Sequence, residues 1–478
     1  MGKGSNTSQP LPVREGGTIE LEITGLTHSG EGVGRREGFA VFVPGALPGE
    51  RVKARITEVK KNYATALLDA IFQPSPERQE PVCPVFRKCG GCQLQHLKYE
   101  AQLSYKRQLV VDALNRIGKL DLDRVVVHHT LGVADPFHYR NKAQYPVGFR
   151  GGRVVTGFYT TRSHDIVPIA DCRIQHPLND QIAGVLRGLL EKYRVSIYDE
   201  KTGQGLIRHL FIRTAAATGE AMAVLVTNGR DVPHLDRIAA ELMREVPQVA
   251  GVVQNVNTQR TNVILGDYTR TVAGRDEIID VLRLSEGGGS GNDAGLKFAI
   301  SARSFFQVNP VQTGVLYGKA IEYAALGGDE TVIDAYCGIG AISLFLARRA
   351  RFVYGIEEVA PAVEDARKNA ALNGISNVEF ITGKVEEVLP DLCRKGIRAE
   401  VIVVDPPRKG CEESVLRTFA DMGPRRIVYV SCNPSTLARD LALLAGMGYE
   451  TKEVQPVDMF PQTSHVECVV LMSNVKNK

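Results

Sequence analysis

From Thr331 onward the sequence alternates short apolar runs with amphipathic stretches, and that alternation leaves few folds open to it. "TVIDAYCGIGAISLFLARRA" reads as strand, glycine turn, helix. "RFVYGIEEV", "EVIVVDPPRKG" and "RIVYVSCNPSTLARD" repeat the strand and its turn further on. Strands alternating with helices build an open α/β sheet. In such sheets ligands bind beyond the carboxyl ends of the strands. Asp334, Glu357, Asp405 and Cys432 all fall at such ends. Any one of them alone serves as well for a helix cap or turn former; four on successive strands argue for one site.

The pattern around Gly338 and Gly340 is D-x-x-C-G-x-G, not the G-x-G-x-x-G of dinucleotide-binding turns. The glycines still let a ligand approach the backbone closely. Glu357 ends the second strand, where an acid accepts hydrogen bonds from ribose hydroxyls. A ribose site without a pyrophosphate turn points to S-adenosylmethionine.

Cys432 lies between an apolar strand, Ile427 to Val430, and a helix that Asn433 caps and Pro434 opens. Leu437, Leu441 and Leu444 give that helix one apolar face. A thiol beside a helix N-terminus is expected to have a lowered pKa, and a thiolate is a nucleophile for covalent catalysis. A buried, inert cysteine is the commoner case, but this one opens onto the cofactor cleft. A nucleophile beside a methyl donor suits a substrate too electron-poor to attack unaided, such as carbon 5 of uracil. Addition of the thiolate to carbon 6 makes carbon 5 an enolate carbon, which takes the methyl group. A base must then remove the carbon-5 proton. "PQTSHVECVVLM" supplies Glu467 for that role, with His465 in reserve.

Upstream, Thr18 to Ala70 holds short β-like runs between Gly/Pro turns, the pattern of a small barrel. Its basic run Arg51 to Lys61 is either a solvated strand edge or a phosphate contact. Residues 1 to about 10 are expected to lack order. "QPSPERQEP" reads as a polar linker, residues 99 to 117 as a helix, and 125 to 285 as strands with helices near 177–193 and 234–245. "SEGGGSGNDAG" reads as a flexible linker. "CPVFRKCGGC" spaces Cys83, Cys89 and Cys92 as C-x5-C-x2-C. Cys172, the remaining cysteine outside the C-terminal region, is the candidate fourth ligand. Four thiolates hold either zinc or a four-iron cluster, and spacing does not choose between them.

A net charge of +4 over 478 residues permits a nucleic-acid partner without demanding one. No apolar run reaches the roughly 18 residues of a membrane span, and the first residues carry no apolar signal core. A cytoplasmic protein is expected, with its nine cysteines not forming a disulfide frame. Nothing marks an obligate protein partner.

Taken together, "SCNPSTLARD", "SHVECVVLM" and "DPPRKG" resemble the motifs of the RNA uridine carbon-5 methyltransferases, above all the iron–sulfur branch that acts on 23S ribosomal RNA. The resemblance covers nearly the whole chain. It implies an RNA-binding TRAM barrel over residues 10–72, a central, mainly β domain with an iron–sulfur and RNA-binding role over 76–290, and a Rossmann-like class I methyltransferase domain over 296–474. It implies Cys432 as nucleophile, Glu467 as base, and Gln307, Tyr336, Glu357 and Asp405 as S-adenosylmethionine contacts. It also implies a four-iron four-sulfur cluster on Cys83, Cys89, Cys92 and Cys172. Ala341 and Lys384 depart from residues found in other members and are left out of the cofactor set. The branch that methylates the transfer-RNA T-loop lacks the cluster cysteines in this resemblance, so 23S ribosomal RNA is the expected partner. An amino-group methyltransferase is disfavoured because Arg408 follows the prolines of "DPP" and because that chemistry needs no Cys432. A non-catalytic RNA-binding protein is disfavoured because the cleft residues are intact.

Overall fold

The computed structural model describes residues 11–161, 163–285 and 295–475. The expectations for the N-terminal ten residues and for most of the glycine-rich linker lie outside the described residues.

Five strands, β1 (Thr18–Leu26), β2 (Gly32–Arg36), β3 (Phe39–Val43), β4 (Arg51–Val59) and β5 (Tyr63–Gln73), close into a barrel in the order β1-β2-β3-β5-β4. Strict alternation along β4 sets its two faces: Val52, Ala54 and Ile56 are buried inside, while Arg51, Lys53 and Arg55 face water. The linker after β5 is pinned. Arg78 pairs with the fully buried Glu50 at 2.5 Å and donates to the Gly45 carbonyl at 2.6 Å.

Helix α1 (Tyr99–Arg116) and the two-residue β6 (Val126–Val127) pack with the C-terminal sheet. The central sheet is formed by β7 (Lys142–Arg150), β8 (Arg153–Tyr159), β9 (Ile166–Pro168), β10 (Ile207–Thr214), β11 (Ala221–Thr227), β12 (Val249–Val256) and β13 (Tyr268–Gly274), in the order β13-β12-β11-β10-β7-β8-β9. Helices α2 (Pro177–Lys192) and α3 (Leu235–Glu245) cover one face. The other face buries Phe211, Met222 and Val224 in a core shared with the C-terminal domain. Strands β10 and β11 are therefore buried on both sides; β11 is almost wholly apolar, while β10 also buries Arg208, His209 and Arg213, and each large apolar side chain buried there is worth about 1.5–3 kcal/mol. A hairpin of β14 (Glu277–Leu282) and β15 (Leu296–Ser301) leads into α4 (Pro310–Ala324).

The C-terminal sheet takes the order β18-β17-β16-β19-β20-β22-β21-β6. Its strands are β16 (Thr331–Ala335), β17 (Phe352–Glu357), β18 (Val378–Thr382), β19 (Val401–Val404), β20 (Arg426–Ser431), β21 (Tyr449–Val457) and β22 (Glu467–Asn474). Helices α5 (Ala341–Ala347), α6 (Ala360–Leu372), α7 (Val385–Arg394), α8 (Glu413–Met422) and α9 (Pro434–Gly446) connect them. Strands β16 to β20 run parallel, and β22 pairs antiparallel with β20. Strand order reverses between β16 and β19, which opens the crevice where α/β sheets take ligands. Among the described residues no helix is long and apolar enough to cross a membrane.

Candidate active site

The crevice is a cavity of about 1080 Å³ whose walls include Gln307, Tyr336, Glu357, Asp405, Cys432 and Glu467. The six candidate catalytic and cofactor residues thus share one space. Asp334, Gly338, Phe305 and Arg408 also line it, as do Ala341 and Lys384.

The glycine turn after β16 makes the cofactor end. Tyr336, Gly338 and Gly340 all have positive φ, at 65°, 56° and 78°. A Cβ on Gly338 would meet nothing within 4 Å, so the turn offers open space to the cavity. Tyr336, a non-glycine residue in this conformation, holds local strain of the sort found at binding sites. Glu357 accepts the Gly338 N–H at 3.1 Å and the Val359 N–H at 2.9 Å. Asp334 is fully buried; one carboxylate oxygen accepts from Ser343 at 2.5 Å and the other has no partner. Burial, with the nearby Asp405 and Glu357 charges, pushes its pKa up to about 7 despite the Ser343 bond. An orphaned acceptor on a cavity wall fits a ligand bearing a cationic donor, as the ammonium group of S-adenosylmethionine is.

The reacting end is set by sheet register. Ser431 pairs with Cys468 across β20 and β22, so Cys432 and Glu467 lie at the same end of the pair. Asn433 caps α9 by accepting the Ser435 N–H at 3.0 Å, and Leu437, Leu441 and Leu444 are buried as their spacing requires. The expected lowering of the Cys432 pKa is not found. Burial, then the Glu467 and Asp405 charges, push the thiol up to about 11; Arg408 pulls the other way. The helix-end effect is worth about 1 kcal/mol, and desolvation beside two acids outweighs it. Glu467 is 5% exposed, and burial plus Asp405 hold its carboxyl well above the usual range, partly offset by Arg408. Burial alone raises Asp405 to about 6. Arg408, visible in "DPPRKG" but given no part in the site by sequence reasoning, is the cation that opposes both shifts. His465 lines the same cavity, and its pKa is lowered first by desolvation there and then by the Arg408 charge.

Cys83, Cys89, Cys92 and Cys172 border a second cavity of about 470 Å³. Arg408, Phe460 and His465 line both cavities. Among the described residues no three His, Cys, Asp or Glu side chains converge as ligands of a metal ion. The four thiols line this cavity without converging as ligands, so neither option left open by the sequence spacing, zinc or a four-iron cluster, is shown. Burial raises the Cys89 thiol pKa, and raises those of Cys92 and Cys172 to about 12.

The tRNA (uracil-5-)-methyltransferase family matches residues 290–475, and the TRAM domain matches residues 12–68. An uncharacterized RNA methyltransferase of Halalkalibacterium halodurans is 50% identical over 466 residues, covering 98% of this chain and 99% of that protein. One from Listeria innocua is 51% identical over 456 residues, covering 95% and 97%. The crystal structure of the Pyrococcus abyssi tRNA (uracil-54, C5)-methyltransferase with S-adenosyl-L-homocysteine superposes with a TM-score of 0.72 at 27% identity, covering 95% of this chain and 99% of that one.

Proposed function

This chain belongs to the tRNA (uracil-5-)-methyltransferase family of S-adenosylmethionine-dependent RNA methyltransferases, and we propose that it methylates carbon 5 of uridine in 23S ribosomal RNA through a covalent Cys432–uracil adduct. The observation that carries this reading is the convergence of Cys432, Glu467, Asp405 and the Glu357 turn on one cavity.

S-adenosylmethionine supplies an electrophilic methyl group to the cleft. Glu357 accepts the ribose hydroxyls while staying fixed by two backbone N–H groups. Tyr336, Gln307 and Asp405, which line the same cavity, would hold the rest of the cofactor. The target uridine leaves its stack, at a cost of a few kcal/mol. The Cys432 thiolate bonds to carbon 6, and the electron pair moves onto the ring as an enolate. Arg408, whose charge opposes the upward shifts of Cys432 and Glu467, favours the thiolate. Carbon 5 takes the methyl group. Glu467 then removes the carbon-5 proton, the carbon 6–sulfur bond breaks, and the thiolate leaves. An elevated carboxyl pKa suits this step, because a base works best near the working pH.

The four thiols around the second cavity have the donor chemistry of a four-iron four-sulfur cluster, which needs more room than a single ion. Cys83, Cys89, Cys92 and Cys172 would hold it, as a structural centre beside the RNA cleft. The barrel and the Arg140–Lys142 region contribute phosphate contacts.

A transfer-RNA T-loop uridine is the second reading, favoured by the whole-chain similarity to the Pyrococcus abyssi enzyme. Mapping 5-methyluridine in ribosomal and transfer RNA from cells lacking this protein separates the two. Loss of 5-methyluridine from 23S RNA alone supports the first reading; loss from the T-loop alone replaces it with the second.

A further inference from the structure

The segment between β21 and β22 delivers Glu467, yet it has no ladder of its own. Glu467 pairs with Val457 at the last rung of these strands, a place where sheets fray unless the connecting turn is fixed. This turn is held by side chains from distant parts of the chain. On α1, Gln102 and Lys106 lie one helical turn apart on one face, and both are fully buried. Lys106 forms an ion pair with Asp458 and donates to the Phe460 carbonyl at 3.1 Å. Gln102 exchanges two bonds with Gln462: its amide nitrogen donates to the Gln462 side chain at 3.0 Å, and its oxygen accepts the Gln462 N–H at 3.1 Å. The Gln462 carbonyl accepts from Gln93 and Leu94, the two residues after Cys92, at 3.1 and 3.0 Å. Tyr139 donates to the Pro461 carbonyl at 3.0 Å. Gln462 itself sits at φ 70°, a conformation kept only where its surroundings enforce it.

We infer that Gln102 and Lys106 are positioning residues for the proton-abstraction step, acting through the Asp458–Gln462 turn to hold Glu467 over carbon 5. The inference rests on the thiolate-adduct reading above. A buried lysine in an amphipathic helix is costly, and an ion pair there is weak evidence for stability. Its placement beside the base-bearing turn accounts for it, since a shift of about 1 Å at a reacting group costs about a hundredfold in rate. The same turn also ties the thiol-bearing loop to the base-bearing segment through Gln462.

The test uses Gln462→Gly, which suits the positive φ and removes the side-chain oxygen that accepts from Gln102, beside Gln102→Leu, which removes both bonds between the two residues, in the full-length protein. The readouts are turnover, KM for S-adenosylmethionine, and the steady-state fraction of denaturation-resistant protein–RNA adduct carrying labelled methyl. Elimination should slow by about tenfold, KM should hold, and the methylated adduct should accumulate above the wild-type level. A fall in turnover with no rise in adduct, or no change in either, overturns the positioning role. Adduct in Glu467→Gln but none in Gln462→Gly overturns the positioning role alone. No adduct in any variant overturns the thiolate reading and takes this inference with it.

Discussion

Cys432 stands one residue beyond Ser431, and Glu467 one residue before its partner Cys468, so a single antiparallel register sets the proposed nucleophile and base at the same strand end. Glu467 raises the cost of ionising Cys432. The Glu467 charge is the largest influence on the Cys432 thiol after burial. An empty cleft therefore favours the neutral pair, and a cation in the cavity shifts it toward thiolate.

This arrangement fixes the sign of the pH dependence. Both groups must lose a proton to work, and both are held above their ordinary values, the thiol at about 11. Methylation under limiting RNA should rise with pH across the neutral and mildly alkaline range. A rate–pH profile that is flat above pH 6 would show that neither group limits the reaction.

Stability should move the opposite way. Glu467 has a folded-state pKa above its unfolded value, because burial and then Asp405 favour the protonated form. Its contribution to stability is complete below the ordinary carboxylate pKa and is lost as pH rises toward the folded value. Glu467→Gln keeps the shape without the charge. Its melting temperature should exceed that of wild type at pH 7 and 8, and the gap should shrink toward pH 4. An equal gap at all pH values would mean the carboxyl is not buried in the folded protein.

Glu357→Ala should weaken S-adenosylmethionine binding tenfold or more, since about 1.4 kcal/mol corresponds to tenfold and the change removes the ribose acceptor as well as the two N–H bonds that shape the turn. Calorimetric titration without RNA checks this. Unchanged affinity would move the ribose site away from β17.

For the second cavity, anaerobically purified protein should contain roughly four irons per chain, and Cys92→Ser should lose them. Stoichiometric zinc without iron would remove the cluster from the account.

That the candidate residues share one cleft was legible, because strand–helix alternation places strand ends by local rules. Asn433 capping α9 and the burial of Leu437, Leu441 and Leu444 needed only nearest neighbours. The Cys432 pKa was not legible. Its local helix end argues for lowering, while the acids that raise it come from β22 and the turn after β19. Gln102 and Lys106 read as ordinary polar positions of α1; their partners Gln462 and Asp458 lie some 350 residues away, where no sequence window reaches. β6 was hidden for another reason, since two residues are too few to show a strand period.

The central claim is tested most directly by incubating Cys432→Ala and Glu467→Gln separately with RNA and methyl-labelled S-adenosylmethionine, then resolving protein from RNA under denaturing conditions. Cys432→Ala should form no adduct and transfer no methyl group. Glu467→Gln should trap labelled methyl in a covalent protein–RNA band. Formation of 5-methyluridine by Cys432→Ala would contradict the thiolate mechanism.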